Sequence, residues 1–133
     1  MRQLDPAGME LLLRSEIPRL SPSTNNYLKR GMNVVYKKRD ARRWQESAAW
    51  IMRRDWGKNP PYDGAVYIEV LVYSPRAKTF DADNRLKAAQ DAVQMAGVIE
   101  DDRQAVRSAV EKITAGGEEK TVIEVWKYDS LSA

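Results

Sequence analysis

The chain has 133 residues, with no cysteine, no histidine and a formal net charge of +3. This length is typical of one domain with one hydrophobic core, so residues 1–133 are expected to form a single domain. Disulfides, cysteine-ligated zinc and histidine general bases are excluded, which leaves carboxylates, lysine, hydroxyl groups or a hard cation for any catalysis. No apolar run is long enough to span a bilayer, and no signal peptide is recognised, so we expect a cytoplasmic protein without membrane contact.

Two elements are predicted in the first half of the chain. Met9–Ile17 is mostly apolar and ends at Pro18, which predicts a strand, with a buried helical turn as the alternative. Residues 21–26 are rich in turn formers and predict an ordered loop. From Ala41 onward, behind an N-cap at Asp40, apolar side chains recur at helical spacing as far as Gly57.

The predicted helix lies in the most basic part of the sequence. Residues 1–60 carry 13 Lys and Arg against 6 Asp and Glu, whereas residues 61–133 carry 9 against 13. Such a segment is either a solvated helix face or a surface that binds phosphates. Trp44, Trp50 and Trp56 recur every six residues, which distributes them around the helix, so some are expected in the core rather than as base-stacking surfaces. The candidate DNA-binding cations are Lys29, Arg30, Lys37, Lys38, Arg39, Arg42, Arg43, Arg53 and Arg54.

The second half predicts a strand, a helix and two more strands. Val66–Tyr73 is apolar at most positions, which predicts a central strand covered on both faces. Asn84–Ala96 is a predicted helix, with Asp83 as its N-cap and a glycine after its end. Val106–Ile113 and Thr121–Tyr128 are predicted to pair with each other through a Gly-Gly turn. The order β-α-β-α-β-β indicates one compact α/β or α+β domain with a mixed sheet and two main helices.

Acidic side chains lie on both sides of the second predicted helix. Asp81 and Asp83 are two residues apart where the helix begins, and Asp101 and Asp102 follow its end. Carboxylates at this spacing suit a hard cation such as Mg²⁺, which prefers oxygen ligands. Each residue also has a structural explanation, as a helix cap or a turn residue. Asp102 can return beside Asp83 only if the intervening chain runs nearly straight back along the helix.

Lys87 follows Asp83 by four residues, and Asp91 follows Lys87 by four, so the three share one helix face. Asp91 lies about 12 Å along the axis from Asp83, too far for the two to share an ion comfortably. We therefore expect Asp91 to pair with Lys87, with a catalytic role as the alternative.

These residues form an extended motif: Asp81-x-Asp83-Asn84-x-x-Lys87-Ala88-x-x-Asp91-Ala92, then Ala96-Gly97 and Asp101-Asp102. The motif resembles the signature of the RusA family of Holliday-junction resolvases, found in bacteria and their prophages. Residues 22–27 are similar to that family's Pro-Ser-Asn-Asn loop, with Thr24 inserted, and the resemblance covers residues 17–113 in outline. Arg85 and Gln90 depart from the family's pattern, and the C-terminus matches it only weakly.

The resemblance implies a homodimeric endonuclease that cuts four-way DNA junctions at symmetrically paired positions. It also implies that Asp81, Asp83 and Asp102 hold Mg²⁺ or Mn²⁺ and that Lys87 is required for catalysis. Asp101 is a further acidic candidate. Within the similar loop, Asn25 and Asn26 are the implied DNA contacts.

Three other functions are alternatives to a nuclease. An Asp-x-Asp phosphatase is disfavoured because Arg85 stands where that motif has Thr or Val, and a calcium loop is disfavoured because its turn glycine and closing glutamate are missing. A non-catalytic protein that binds DNA or junctions stays open as the alternative. Phe80, the only phenylalanine, is interpreted as a core anchor for the metal loop, with a wedge between base pairs as the alternative.

Overall fold

The computed structural model describes residues 9–19, 31–79 and 83–128, with the backbone alone at 31–38, 40, 79, 83 and 84. The elements in chain order are β1 (Glu10–Pro18), α1 (Gly31–Trp56), β2 (Val66–Ser74), α2 (Asp83–Met95), β3 (Ala105–Thr114) and β4 (Lys120–Lys127). Short 3₁₀ turns at Ala77–Thr79 and Asp102–Gln104 precede α2 and β3. The predicted α+β class and element order are confirmed. The predicted loop at residues 21–26 lies outside the described residues.

The four strands form one mixed sheet in the order β1-β4-β2-β3. Strand β4 is antiparallel to β1 and β2, whereas β3 is parallel to β2. The prediction that the last two strands pair with each other is wrong, because β2 lies between them. The connection steps over the end of β2, where the Ala115 N–H donates to the Ser74 carbonyl at 3.2 Å. Turn residues indicate that the chain reverses, but they do not determine which strand lies beside it.

Strand β2 is central, as predicted, but the helices among the described residues cover only one of its faces. Val66, Ile68, Val70 and Val72 are fully buried on that face. The alternating residues on the other face are half-buried, so the prediction of two covered faces is wrong. Both helices pack on the same side of the sheet, and large side chains on neighbouring strands shield one another on the open side.

Helix α1 is longer at its start than the sequence pattern predicts. It begins at Gly31 rather than at Ala41, so Asp40 lies inside the helix and is not its N-cap. No proline or glycine interrupts residues 32–56, and a good cap residue within such a run does not by itself start a helix. The predicted end is confirmed: Gly57 has a φ of 73°, and its N–H donates to the Arg53 carbonyl at 2.9 Å.

The core is one layer between the helix pair and the sheet. Ala48 and Met52 of α1 and Ala89 and Val93 of α2 are fully buried in it. The alanines let the two helices approach each other and the sheet closely. No helix among the described residues has the length and apolar character needed to cross a membrane.

Candidate functional site

Helix α2 begins at the end of the sheet where β2 ends, and it runs back toward the end where β2 begins. In mid-helix, the Gln90 amide donates from Nε2 to the Ser108 hydroxyl at 2.6 Å, and Ser108 is paired with Ile68 near the start of β2. Asp83 is seven residues earlier and lies about 10 Å further toward the carboxyl end of β2. A carboxylate at this first helical position is favoured by the aligned peptide dipoles. Asp81 and Phe80 lie outside the described residues.

Lys87 and Asp91 form the ion pair that the sequence predicts. The Lys87 ammonium lies 3.5 Å from the Asp91 carboxylate, and both side chains face solvent on α2. The Lys87 side chain is 65% exposed, so the pair leaves it accessible to a ligand. Because Lys87 is one turn after Asp83, its charge is available beside the helix start.

Asp101 and Asp102 lie in the turn that precedes β3. Asp101 accepts hydrogen bonds from the Arg103 backbone at 2.8 Å and from its guanidinium at 3.2 Å. These bonds lower the pKa of Asp101 to about 2, and the bond from the Arg103 side chain has the largest effect. Asp101 is therefore an ionised cap of the turn, whereas the Asp102 side chain is exposed.

Gln104 holds this turn in place, a role that no local pattern in the sequence indicates. Its Nε2 donates to the carbonyls of Tyr62 and Gly64 at 2.6 and 2.9 Å. Its Oε1 accepts from the backbone N–H groups of Glu100 and Asp101 at 2.7 and 2.9 Å. One amide thus connects the acidic turn to the segment before β2, and only the tertiary structure reveals its partners.

The described backbone separates Asp83 from Asp102 within one chain. Helix α2 has 13 residues and is about 20 Å long. Asp83 is at its start, while Asp102 lies beyond its end, three residues before Ala105, which pairs with Val66 at the start of β2. The intervening segment is held near β2, where the Tyr62 N–H donates to the Val98 carbonyl at 2.8 Å. It does not carry Asp102 back to the first turn of α2.

A charged cluster that the sequence did not indicate lies at the sheet end from which α2 begins. Glu119 accepts hydrogen bonds from the Ser74 hydroxyl and, at 3.2 Å, from Arg76. Both bonds lower the pKa of Glu119, that from Ser74 most strongly. Arg85 is half-buried beside these charges, and burial lowers its pKa while Glu119 opposes that change. Arg85, a departure from the motif, therefore belongs to the surroundings of Asp83.

The predicted cationic surface is present on the outer side of α1. Arg42, Arg43 and Arg54 are exposed, and Arg42 and Arg54 also pair with acidic neighbours on the helix at 3.3 and 3.2 Å. Arg53 has a structural role as well, because its guanidinium donates to the Met95 carbonyl at 2.8 Å and to the Ala96 carbonyl at 3.4 Å. It thereby caps the C-terminus of α2.

The other cations are placed only in part. Arg39 is exposed on α1. Lys37 and Lys38 belong to the same helix, with only their backbone described. Asn25, Asn26, Lys29 and Arg30 lie outside the described residues.

The three tryptophans of α1 have different surroundings, as their spacing predicts. Trp44 is 8% exposed and belongs to the core. Trp56 is half-buried, and its Nε1 donates to the Pro60 carbonyl at 3.2 Å. Trp50 is 63% exposed. The sequence indicates that they diverge, and the packing of α1 decides which one faces solvent.

The chain is a single α+β domain with one basic helix, and the acidic motif of the sequence lies around the start of the other helix. Residues 19–126 match the family described as Endodeoxyribonuclease RusA. The chain therefore belongs to the RusA family, and by this membership it is an endonuclease of the Holliday-junction-resolving type. A relative from Aquifex aeolicus (strain VF5), named Crossover junction endodeoxyribonuclease RusA, is 26% identical over 109 residues, which cover 82% of this chain and 86% of the relative. The match extends beyond the motif, through β3 and into β4.

Proposed function

We propose that the protein resolves four-way DNA junctions in the cytoplasm as a homodimer, by metal-dependent hydrolysis of symmetrically paired phosphodiester bonds. The observation that carries this proposal is the position of Asp83 and Lys87, one turn apart at the start of α2, in a chain of the RusA family. A homodimer related by a twofold axis provides two equivalent sites, as paired cuts require.

The donor groups of the chain fit a hard cation. With no histidine or cysteine, the available ligands are oxygens, and Asp81 and Asp83 supply two carboxylates at a helix start. Mg²⁺ is commonly held by one or two carboxylates together with water and substrate phosphate, and Mn²⁺ accepts the same ligands. When bound, such a cation lowers the pKa of a coordinated water and neutralises charge on the phosphate. No group of three or more acidic residues that could hold a metal is found within the described residues, so the ligands from 81 and 83 are essential to this proposal.

Lys87 supplies positive charge next to the scissile phosphate. Its ammonium is exposed and is kept on the Asp83 face of α2 by Asp91 at 3.5 Å. A fixed cation at this position stabilises the negative charge that develops on the phosphate oxygens as the bond breaks. Asp91 then acts as a positioning residue for Lys87.

Asp102 takes part in this site through the second chain. Within one chain the length of α2 separates it from Asp83, yet its side chain is exposed in a turn held by Gln104. A homodimer in which each chain presents this turn to the start of the other chain's α2 adds a third carboxylate to each metal site. This assembly explains why the family motif includes acidic residues at both ends of the helix. Asp101, already bound to Arg103, serves there as the cap of the turn.

The experiment compares wild type with Asp83→Asn on a synthetic four-way junction in the presence of Mg²⁺, with cleavage and binding measured in parallel. We expect Asp83→Asn to bind the junction and to lose cleavage by at least roughly a hundredfold, because a ligand of the catalytic cation is removed. Asp63→Asn, the same change at an exposed loop residue, is the matched control and should cleave as wild type does.

Two results would contradict the proposal. Full cleavage by Asp83→Asn would remove this carboxylate from the chemistry. A wild-type protein that retards the junction without cutting it would support the alternative, a non-catalytic junction-binding protein that relies on its cationic helix.

A further inference from the structure

Trp50 is a large apolar side chain that the fold leaves in solvent. It is 63% exposed, whereas Trp44 and Trp126 are 8% and 6% exposed. Indole rings contribute strongly to binding because they offer a broad flat surface at little cost in conformational entropy. An exposed tryptophan within a basic surface is therefore a candidate contact for a ligand.

Trp50 lies in a row of side chains along α1 that includes two arginines, and the acidic Glu46 and Asp55 lie beside this row. Arg43, Ser47, Trp50 and Arg54 follow one another at intervals of four, three and four residues, which places them in one row on the outer face of the helix. The Arg54 guanidinium lies 5.8 Å from the centre of the Trp50 ring. A groove of about 480 Å³ beside the ring is lined by Glu46, Ser47, Trp50, Ile51 and Arg54.

The charge of this surface distinguishes between two occupants. Residues 39–56 carry five arginines against three acidic residues, Asp40, Glu46 and Asp55, so a second copy docked through the same face would bring together two surfaces of like net charge, which repel. A nucleic acid strand instead provides phosphates for the arginines and flat bases for the indole. Bases in an intact duplex are stacked on each other, so the ring can reach a base face only where a base is unpaired or unstacked.

We propose that Trp50 stacks on an unpaired base of branched DNA while Arg43 and Arg54 contact the phosphates on either side. This inference rests on the proposed function and names the part of the substrate that α1 recognises. In this arrangement the middle of α1 contacts the branch point of the DNA rather than its duplex arms. Binding should therefore favour junctions whose crossover exposes unpaired bases.

The test uses the full chain, with Trp50→Ala and Trp50→Phe, and two four-way junctions that differ only in two unpaired thymines at the crossover. We expect Trp50→Ala to lower affinity for the junction with unpaired bases about tenfold and to leave affinity for a linear duplex within about twofold. Trp50→Phe should retain most of the affinity. The salt dependence of binding should not change in Trp50→Ala, because no phosphate contact is lost, whereas Arg54→Gln should reduce its slope by about one. Val106→Ala, a change at another exposed apolar residue, is the matched control.

A second measurement keeps this inference separate from the proposed function. Binding of single-stranded oligothymidylate should quench tryptophan fluorescence in wild type and much less in Trp50→Phe, whether or not the protein cuts junctions. Unchanged quenching in Trp50→Phe, or equal loss of affinity on duplex and junction, would overturn the stacking contact. A change of oligomeric state in Trp50→Ala without DNA would also overturn it and would identify this row as an interface between copies. Failure of wild type to cut any junction would count against the proposed function alone.

Discussion

Glu69 lies on the open face of the sheet, directly across from Glu124 on β4. The Tyr67 hydroxyl donates a hydrogen bond to its carboxylate. Burial raises the pKa of Glu69 above its ordinary value of 4.5, and the charges of Glu124 and Glu111 raise it further. The folded protein thus holds this proton more tightly than the unfolded chain does, so ionisation of Glu69 lowers the free energy of unfolding as the pH rises through the pKa of the folded state.

Glu69→Gln is expected to raise the thermal stability at pH 7, because the amide keeps the acceptor for Tyr67 and carries no charge. The gain should disappear below about pH 4, where the carboxyl group is protonated in both states. Thermal unfolding followed between pH 3.5 and 8 measures the difference. Glu118→Gln, at an exposed loop position, is the control and should change little. A gain that is the same at every pH would contradict the charge-based explanation.

Gln104 is the residue on which the acidic turn depends. Replacing it by Met keeps the length of the side chain and removes all four hydrogen bonds to the backbone. We expect the free energy of unfolding to fall by about 2–3 kcal/mol, since backbone groups of a partly buried turn lose their partners. Urea denaturation measures this loss. Gln94→Met, at an exposed position of α2, should leave stability almost unchanged. Equal stability of the two variants would show that water replaces the Gln104 amide at no cost.

At the scale of the elements, helix α1 combines two roles on different sides. Its inner side packs in the core, and its outer side presents arginines to solvent. Arg53 belongs to the exposed arginines of the outer side, and it also caps the C-terminus of α2 through its bond to the Met95 carbonyl. A test of DNA binding by α1 therefore leaves Arg53 unchanged, so that an effect on binding is not confused with fraying of α2.

Changing Arg42, Arg43 and Arg54 together to Gln should weaken binding to junctions and reduce the slope of log affinity against log salt by about three, roughly one for each lost phosphate contact. Binding measured across a series of salt concentrations gives this slope. Lys112→Gln with Lys127→Gln removes charges from strands β3 and β4 and serves as the control. An unaltered slope in the arginine variant would mean that this face of α1 is only solvated.

At the scale of the whole molecule, a cation bound by the folded protein must stabilise it. Millimolar Mg²⁺ is expected to raise the melting temperature of wild type by a few degrees, because a cation bound only by the folded state stabilises that state. Asp83→Asn should lose this increase, whereas Asp63→Asn should retain it. An equal increase in both variants would indicate that the cation binds elsewhere.

If Asp83 and Asp102 of different chains form each site, as proposed, mixed dimers have predictable activities; such dimers are purified through a different affinity tag on each chain. A dimer of one Asp83→Asn chain and one Asp102→Asn chain should keep one intact site and nick the junction on one strand. A dimer of wild type with a chain carrying both substitutions should be inactive, because every shared site lacks one carboxylate. The reverse pattern of activity would place Asp83 and Asp102 in the same chain.

Features that depend on near neighbours in the sequence can be predicted from it. The ends of the helices at Gly57 and Gly97 and the Lys87–Asp91 pair depend on residues within one or two turns, and the structure confirms them. The covered faces of β2 and the strand that lies beside β3 differ from the prediction, because both depend on elements far apart in sequence. The start of α1 lies ten residues before the predicted one, because Asp40 is of a residue type that often caps helices but lies inside this helix.

The amino-acid sequence by itself determined the kinds of elements, the acidic motif around α2 and the concentration of arginine on α1, because each is a local pattern of residue types. The tertiary structure decided which tryptophan of α1 faces solvent, that Gln104 holds the acidic turn, and that the length of α2 separates Asp83 from Asp102. These features arise when both helices pack on one face of the sheet. That packing sets the orientation of every side chain relative to partners that the linear sequence does not specify.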